Sequence, residues 1–321
     1  MDIENNKKKK KKIKVKANTS KTEINSDILI LKNVVKKKPT KLILKRDFIL
    51  KNFKEVNNSK NLNITNPKIL DFEQKSNSIN KYALRLRGIS KSFDGRPVLK
   101  DINIDVPAGS IVGLMGPNGA GKSTAFSICT GSIKPNSGYV EFFGENINEL
   151  PIHKRALKGL SLVQQSKGLF SGMSVYNNLY GILELHIKER DKIDAKINQL
   201  LNYFGLGYTK NLLAENLSGG EGRKITMLQR LCVKNVRLLL LDEPCSALDP
   251  LSVESLKKFI LELKKAGVTI LICEHQVQSV IDILDYCTVI KDGHILASGK
   301  PKDVIKDERA KKYYFGSSLT I

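Results

Sequence analysis

The sequence lacks several features that mark whole classes of protein. No stretch approaches 18 consecutive apolar residues, so no membrane-spanning helix is expected. The basic start leads into no apolar segment with a small-residue cleavage site, so a secretion signal is not expected either. The five cysteines have no C-x-x-C spacing, which argues against a disulfide framework or a zinc site and favours a reducing cytoplasm.

Acidic residues are too few to balance the basic ones. In 321 residues, 54 Lys and Arg stand against 32 Asp and Glu, which gives a formal net charge of +22. Residues 1–80 carry +13 of this charge, include the hexalysine Lys7–Lys12 and contain no glycine. Blocks of like charge repel one another and resist folding. The sequence therefore predicts a basic, mostly disordered extension over residues 1–80.

One part of this extension, Lys41–Val56, places apolar residues near one helical face and lysines on the remainder. Three interpretations are open: a solvated tail without specific contacts, contact with an anionic membrane surface, or contact with nucleic acid. The solvated tail is favoured over the membrane. Nucleic acid is the least expected, because only Phe48, Phe53 and Phe72 could stack on bases.

From residue 81 onward, apolar strands alternate with helical periodicity, and turns punctuate the chain. The predicted strands include Ile111–Met115, Leu238–Leu241 and Val268–Cys273, and Asp292-Gly293 predicts a hairpin. This alternation predicts an α/β domain over 81–321 around a mostly parallel sheet. Residues from about 166 to 236 show helical patterns without a convincing strand, which predicts a helical insertion.

A phosphate-binding loop follows the first of these strands. Its residues are Gly116, Pro117, Asn118, Gly119, Ala120, Gly121, Lys122 and Ser123, which match G-x-x-x-x-G-K-[ST]. The glycines let main-chain N–H groups point at phosphate oxygens, and the following helix adds its positive N-terminal dipole. Lys122 is expected on the β- and γ-phosphates and Ser123 on Mg²⁺. Thr124, the next residue, joins the predicted nucleotide contacts.

Two acids, Asp242 and Glu243, follow the apolar run Leu238–Leu241. In phosphate-loop enzymes an acid at the end of a buried strand holds Mg²⁺, and this role is expected for Asp242. Glu243 is better placed to accept a proton from the attacking water, or to orient that water.

A third motif, Leu217–Glu221, has the sequence Leu-Ser-Gly-Gly-Glu and lies between the loop and the acid pair. In this order the three motifs resemble those of ATP-binding cassette (ABC) ATPases, and Leu217–Glu221 resembles the signature motif of that family. The resemblance covers residues 81–321. It implies a P-loop NTPase fold of the ABC type, with a mostly parallel core sheet, an antiparallel β portion and a helical insertion subdomain.

The resemblance also implies roles for single residues. Phe93 resembles the aromatic that stacks on adenine, with packing in the core as the alternative. Gln165 resembles the glutamine of the Q-loop, a contact of nucleotide and Mg²⁺, and Gln164 is the alternative. Asp249, in Ser246–Asp249, resembles the D-loop aspartate, and His275 resembles the switch histidine on the γ-phosphate. Lys122, Glu243 and His275 are the catalytic residues that the family pattern implies, with ATP and Mg²⁺ as cofactors.

Family membership would imply that two cassettes pair head to tail. ATP would lie between the phosphate loop of one chain and the Ser218, Gly219 and Gly220 turn of the other. This chain has one loop and one signature, so a homodimer or a pair with a similar cassette is expected.

The end of the chain resembles that of two groups within the family. The residues Asp307–Arg309 and Tyr313–Gly316 resemble an ending shared by lipopolysaccharide-export ATPases and branched-chain amino acid importer ATPases. The tail Ser317–Ile321 favours the export group. The absence of the longer insertion that one importer subunit has after the Q-loop favours it as well. By position, Phe170 and Met173 would line the groove that docks two integral-membrane subunits, or else pack in the core.

The predicted function is thus an ATPase on the cytoplasmic side of the inner membrane that powers lipopolysaccharide export. An importer ATPase for branched-chain amino acids or amides is the alternative. A non-transport ABC ATPase that acts on nucleic acid or the ribosome is an alternative of another class.

Overall fold

The computed structural model describes residues 81–165 and 168–315. The predicted extension 1–80, its segment Lys41–Val56 and the tail Ser317–Ile321 lie outside the described residues. The strands are β1 (Tyr82–Phe93), β2 (Arg96–Pro107), β3 (Ile111–Met115), β4 (Ser137–Phe142), β5 (Glu145–Asn146), β6 (Leu160–Val163), β7 (Leu238–Asp242), β8 (Thr269–Glu274), β9 (Tyr286–Lys291) and β10 (His294–Gly299). The helices are α1 (Lys122–Thr130), α2 (Ile152–Leu157), α3 (Val175–Leu183), α4 (Arg190–Tyr203), α5 (Gly219–Leu231), α6 (Pro250–Lys265), α7 (Pro301–Lys306) and α8 (Glu308–Ala310).

The larger sheet has six strands in the order β10-β9-β3-β8-β7-β6. All of its neighbours pair in parallel except β9 and β10, which form an antiparallel hairpin across Asp292-Gly293. Leu238–Leu241 and Thr269–Glu274 are buried along their length, as expected for strands covered on both faces. The predicted α/β fold with a mostly parallel core sheet is confirmed.

The smaller sheet is antiparallel, with the order β2-β1-β4-β5. In β2 the residues Ile102, Ile104 and Val106 are buried while their neighbours face solvent. This alternation of buried and exposed residues is typical of a sheet with one face packed on the core and the other exposed to solvent. Its buried face shares a hydrophobic cluster with α1 and with one face of β3, through residues such as Phe126 and Leu114.

Helices occupy the chain between β6 and β7. They are α3, α4 and α5, with 3₁₀ turns at Gly207–Thr209 and Ala214–Asn216. Ser174 caps α3 by accepting a hydrogen bond from the N–H of Asn177. The apolar residues of α4, Ile193, Ile197, Leu200 and Leu201, are buried on one face, as their spacing predicts.

All five cysteines are buried free thiols. Over residues 81–165 and 168–315, no helix combines the length and the apolar character needed to cross a membrane.

Candidate functional site

The carboxyl ends of three neighbouring strands bring the predicted motifs together. Met115 at the end of β3 pairs with Glu274 at the end of β8, and Asp242 at the end of β7 pairs with Cys273. The residues that directly follow these three strands are Gly116 of the phosphate loop, Glu243 and His275. Ligands of open α/β sheets bind at this edge. The sheet therefore assembles one site from three distant parts of the sequence.

Two glycines shape the phosphate loop. A Cβ atom at Gly116 would lie 2.2 Å from the carbonyl oxygen of Ile290, so a side chain there would push the loop away from β9. Gly121 has a φ of 104° and is the N-cap residue of α1, and no side chain caps this helix end. The first N–H groups of α1 are therefore available to an anion, as at other phosphate-binding helix ends.

Lys122 is a buried ammonium held by its own loop. Its Nζ donates to the carbonyl oxygens of Gly116 and Pro117, at 2.8 and 3.0 Å, and the residue is 5% exposed. An ammonium has three donor hydrogens, so one is left for a further acceptor. Asn118, Gly119 and Ser123 are exposed, Pro117 and Thr124 are half-buried, and Ala120 is buried. The loop thus holds a positive charge where the nucleotide phosphates are predicted to bind.

Glu243 stands at the centre of the site. Its Oε2 accepts a hydrogen bond from Gln165 Nε2 at 3.2 Å, and its Oε1 lies 3.4 Å from Nδ1 of His275. The backbone of Glu243 is in the left-handed region, with φ of 46°, and its N–H donates to the carbonyl oxygen of Cys273. Residues that keep such a conformation are concentrated at functional sites.

His275 carries an unsatisfied atom. Its Nδ1 is buried and makes no hydrogen bond within the described residues. A buried nitrogen without a partner is costly, and such atoms in functional sites are often completed by a ligand, an ion or water. A ligand that enters beside Glu243 would supply the hydrogen-bond partner that this nitrogen lacks.

The oxygen donors around the phosphate loop fit Mg²⁺ that is bound together with a nucleotide. Ser123 offers a hydroxyl, Gln165 an amide oxygen and Asp242 a carboxylate, and Mg²⁺ is usually held by one or two carboxylates plus substrate phosphates. Over residues 81–165 and 168–315, no cluster of three His, Cys, Asp or Glu could hold a metal alone.

The carboxyl of Asp242 lies in an environment that disfavours its negative charge. Burial raises the pKa of the Asp242 carboxyl, opposed by a hydrogen bond from Cys273, reinforced by the negative charge of Glu243 and opposed by Lys122. In this environment the Asp242 carboxyl loses its proton less readily than an exposed Asp, because burial disfavours the negative charge. A divalent cation at this position would offset that charge.

The signature turn is ordered by a capping box at the start of α5. Ser218 Oγ accepts a hydrogen bond from the N–H of Glu221, and the Glu221 carboxylate accepts one from the N–H of Ser218. Ser218 and Gly219 are exposed. A Cβ atom at Gly219 would lie 3.0 Å from Leu248 Cδ2, and one at Gly220 would lie 3.3 Å from Ser252. The capping box thus orders the backbone of a turn whose first two residues are exposed and whose third, Gly220, is buried.

Asp249 has a structural role that the sequence analysis did not predict. It is the N-cap of α6 and accepts a hydrogen bond from the N–H of Ser252 at 3.0 Å. The hydrogen bonds from Ser252 lower the pKa of Asp249, so its carboxylate stays ionised beside the helix dipole.

Phe93 lies at the end of β1 and is 41% exposed, so it is not a core residue. Its described contact is with Lys91, whose Nζ lies 5.2 Å from the ring centroid. An exposed aromatic at a strand end can stack on a base, and this role for Phe93 stays a prediction.

Phe170 and Met173 are exposed, by 65% and 46%, which does not fit the alternative of core packing. The buried side chain of Asn178 fixes the loop that carries them. Its Oδ1 accepts from the Phe170 N–H at 2.8 Å, and its Nδ2 donates to the carbonyl oxygens of Phe170, Met173 and Ser174. Two large apolar side chains are thus presented to solvent on a rigid loop.

Sequence reasoning missed two residues of the site. Arg223 of α5 donates to the carbonyl oxygens of Gln165 and Gln164, and so ties the signature helix to the Q-loop. Glu274 is 1% exposed and accepts a hydrogen bond from the N–H of Cys245 at 2.9 Å. Its position next to His275 at a strand end was a signal that could have identified it.

Known proteins resemble this chain over most of its length. Residues 99–246 match the family model described as ABC transporter. The lipopolysaccharide export system ATP-binding protein LptB of Haemophilus influenzae is 34% identical over 243 residues, which cover 74% of this chain and 99% of that protein. LptB of Escherichia coli K12 is 32% identical with the same coverage.

Solved structures of ABC transporter ATPases also superpose on this chain. The crystal structure of the ADP conformation of MJ1267, an ATP-binding cassette of an ABC transporter, superposes with a TM-score of 0.67 at 28% identity, covering 74% of this chain and 99% of that one. CbiO1 from Clostridium perfringens, part of the ABC transporter complex cbiONQ, has a TM-score of 0.66 at 29% identity and covers 72% of this chain and 94% of that one. The chain therefore belongs to the ATP-binding subunits of ABC transporters, which bind and hydrolyse ATP.

Proposed function

We propose that this chain is the ATPase subunit of an exporter that moves lipopolysaccharide out of the inner membrane. The observation that carries the proposal is the similarity to LptB of Haemophilus influenzae, which extends over 99% of that protein. The exposed pair Phe170 and Met173 supports it, because an export ATPase has to transmit its motion to membrane-embedded partners.

The site supports a division of labour in ATP hydrolysis. The phosphate loop and Lys122 bind the phosphates and neutralise their charge, and positioning of this kind supplies most of the catalysis in phosphoryl transfer. Bound Mg²⁺, held by Ser123, Asp242 and Gln165, would add charge neutralisation at the phosphates. Glu243 accepts the proton of the attacking water.

His275 and Gln165 flank Glu243 on its two carboxylate oxygens. This arrangement supports a role in which they orient the carboxylate. The unpartnered state of the imidazole Nδ1 supports a further role for His275 as a reporter of the γ-phosphate.

The complete site needs two copies of the chain. A Cβ atom built at Gly219 or Gly220 would meet Leu248 or Ser252 of the same chain, and this supports a second copy as the source of the signature turn for each phosphate loop. The γ-phosphate would then join the two copies, and hydrolysis would release them.

The membrane partners are two integral-membrane subunits that dock against Phe170 and Met173, with the ATPase dimer on the cytoplasmic face. For the basic residues 1–80 a solvated tail is the favoured interpretation, and contact with an anionic membrane surface is the alternative that this location allows.

A pull-down of the tagged chain from detergent-solubilised membranes tests the proposal. Two multi-span proteins are expected to co-purify. In proteoliposomes the recovered complex should release labelled lipopolysaccharide with ATP and leave labelled leucine outside. ATP-driven uptake of leucine would move the chain to the importer class, and recovery of ribosomes or DNA as the sole stable partner would overturn the transport function.

A further inference from the structure

A tyrosine near the end of the described chain joins two motifs of the site. The hydroxyl of Tyr314 donates a hydrogen bond to the main-chain carbonyl oxygen of His275 at 2.7 Å, across 39 residues of sequence. Burial raises the pKa of this hydroxyl, and the nearby main chain of Gly116 opposes that rise. The hydroxyl is therefore bonded to the backbone of His275 and lies beside the first residue of the phosphate loop.

Packing fixes the position of this hydroxyl. The Tyr314 ring lies against the buried core cluster, and its centroid is 5.0 Å from that of the buried Phe315. Asp307 anchors the preceding helix, α8, by accepting hydrogen bonds from the N–H groups of Arg309 and Ala310. Burial also raises the pKa of Tyr314, so the hydroxyl keeps the proton that it donates.

The side chain of His275 lies near two carboxylates, those of Glu243 and Glu274. The imidazole Nδ1 has no hydrogen-bond partner among the described residues, and it lies 3.4 Å from Oε1 of Glu243. The main chain of His275 carries the imidazole to its place beside these carboxylates, and the contact from Tyr314 acts on that main chain.

We propose that Tyr314 is a positioning residue that holds His275 in register with Gly116, so that the imidazole meets the γ-phosphate of ATP. The proposal rests on the predicted role of His275 in hydrolysis. ADP has no γ-phosphate, so the hydroxyl of Tyr314 should matter for ATP and not for ADP.

Replacing Tyr314 by Phe removes the hydroxyl and keeps the ring. In the full-length chain, Tyr314→Phe is expected to lower kcat roughly 5- to 10-fold, the equivalent of one hydrogen bond. Calorimetry should show weaker binding of a non-hydrolysable ATP analogue and unchanged binding of ADP. The matched control is Tyr313→Phe, because the Tyr313 ring is half-exposed between Lys291 and Lys312. Loss of this hydroxyl should leave both kcat and the binding of the ATP analogue at the parental level.

A double-mutant cycle separates positioning from general support of the fold. Once His275→Ala has removed the imidazole, adding Tyr314→Phe should cause no further loss of kcat, because the two changes act through one group. An additive loss, parental kinetics of Tyr314→Phe, or an equal loss of affinity for ADP and the ATP analogue would each overturn the proposal. Normal turnover of His275→Ala would overturn the role of His275 and the proposal with it, while leaving the transport function to its own test.

Discussion

The side-chain amide of Gln165 donates a hydrogen bond to the carboxylate of Glu243 across 3.2 Å, and the same amide reaches Ser246 Oγ at 3.2 Å. Gln165 lies just after β6, beside the loop that presents Phe170. A displacement of this segment would therefore change the contacts of the acid that is expected to act as the base. The link supplies a physical route by which a membrane partner could influence hydrolysis.

Glu243→Gln tests the assignment of the base. The amide has the shape of the carboxylate and can still accept the hydrogen bond from Gln165, but it cannot take up a proton. Turnover is expected to fall by ~100-fold or more, with ATP-bound dimers accumulating. Phosphate release and size-exclusion chromatography in ATP measure the two effects. Near-normal phosphate release would remove Glu243 from the catalytic role.

Asp242→Asn separates stability from activity. The folded-state pKa of Asp242 is raised, so the folded nucleotide-free chain holds this proton more firmly than the unfolded chain, and stability falls as pH rises through the folded pKa. The variant should therefore melt at a higher temperature than the parent at neutral pH, and the difference should shrink as the pH falls towards and below the ordinary Asp pKa of about 3.9.

The same substitution should lower Mg²⁺-dependent turnover ~100-fold or more, since metal coordination contributes several kcal/mol. Thermal melts across pH and steady-state kinetics give the two readouts. A variant that melts below its parent at neutral pH would contradict the electrostatic account.

A mixture of two inactive variants tests the shared site. Lys122→Ala removes the loop ammonium, and Ser218→Ala removes both the signature hydroxyl and the cap of α5, at a cost of about 1 kcal/mol in helix stability. In a mixed dimer, one of the two sites regains both groups. With equal amounts, random pairing should restore about a quarter of parental ATPase activity per chain. No gain over the separate variants would argue against sites shared between two chains.

Phe170→Ala tests the docking surface. An exposed aromatic that becomes buried in an interface typically contributes about 2 kcal/mol or more, so co-purification of the membrane subunits should drop sharply. The ATPase activity of the isolated chain should remain near that of the parent, because the Phe170 side chain is directed to solvent. Leu185→Ala is a matched control, since Leu185 is 75% exposed and lies beyond α3. If Phe170→Ala and Leu185→Ala reduced co-purification equally, Phe170 would not be a specific docking residue.

Deletion of residues 1–70 tests the basic extension. All motifs of the site lie beyond residue 81, so ATPase activity in solution should stay within about two-fold of the parent, as for changes distant from a site. Flotation with anionic vesicles should reveal whether membrane attachment is lost. An inactive, misfolded truncation would show that the extension supports the fold.

Motif spacing predicted the parts of the site that are contiguous in sequence. The strand before Gly116, the helix after Gly121 and the acids after Leu241 follow from local apolar runs and turn residues. The same reasoning predicted the hairpin at Asp292-Gly293, because its turn chemistry is local.

Contacts between distant segments could not be predicted in this way. Arg223 meets the carbonyl oxygen of Gln165 across 58 residues, and Tyr314 meets that of His275 across 39. A main-chain acceptor leaves no trace in residue type, so no pattern in the sequence marks such pairs. The role of Asp249 as a cap was accessible, since Asp followed by Pro at the start of a helical run is a start signal.

The left-handed backbone of Glu243 has a consequence for protein engineering. A non-glycine residue in this conformation costs about 1–2 kcal/mol, and glycine would remove that cost. Selection for thermostability alone would thus favour Glu243→Gly, which removes the expected proton acceptor. A mutant library made to increase the thermostability of this enzyme should therefore leave Glu243 unchanged.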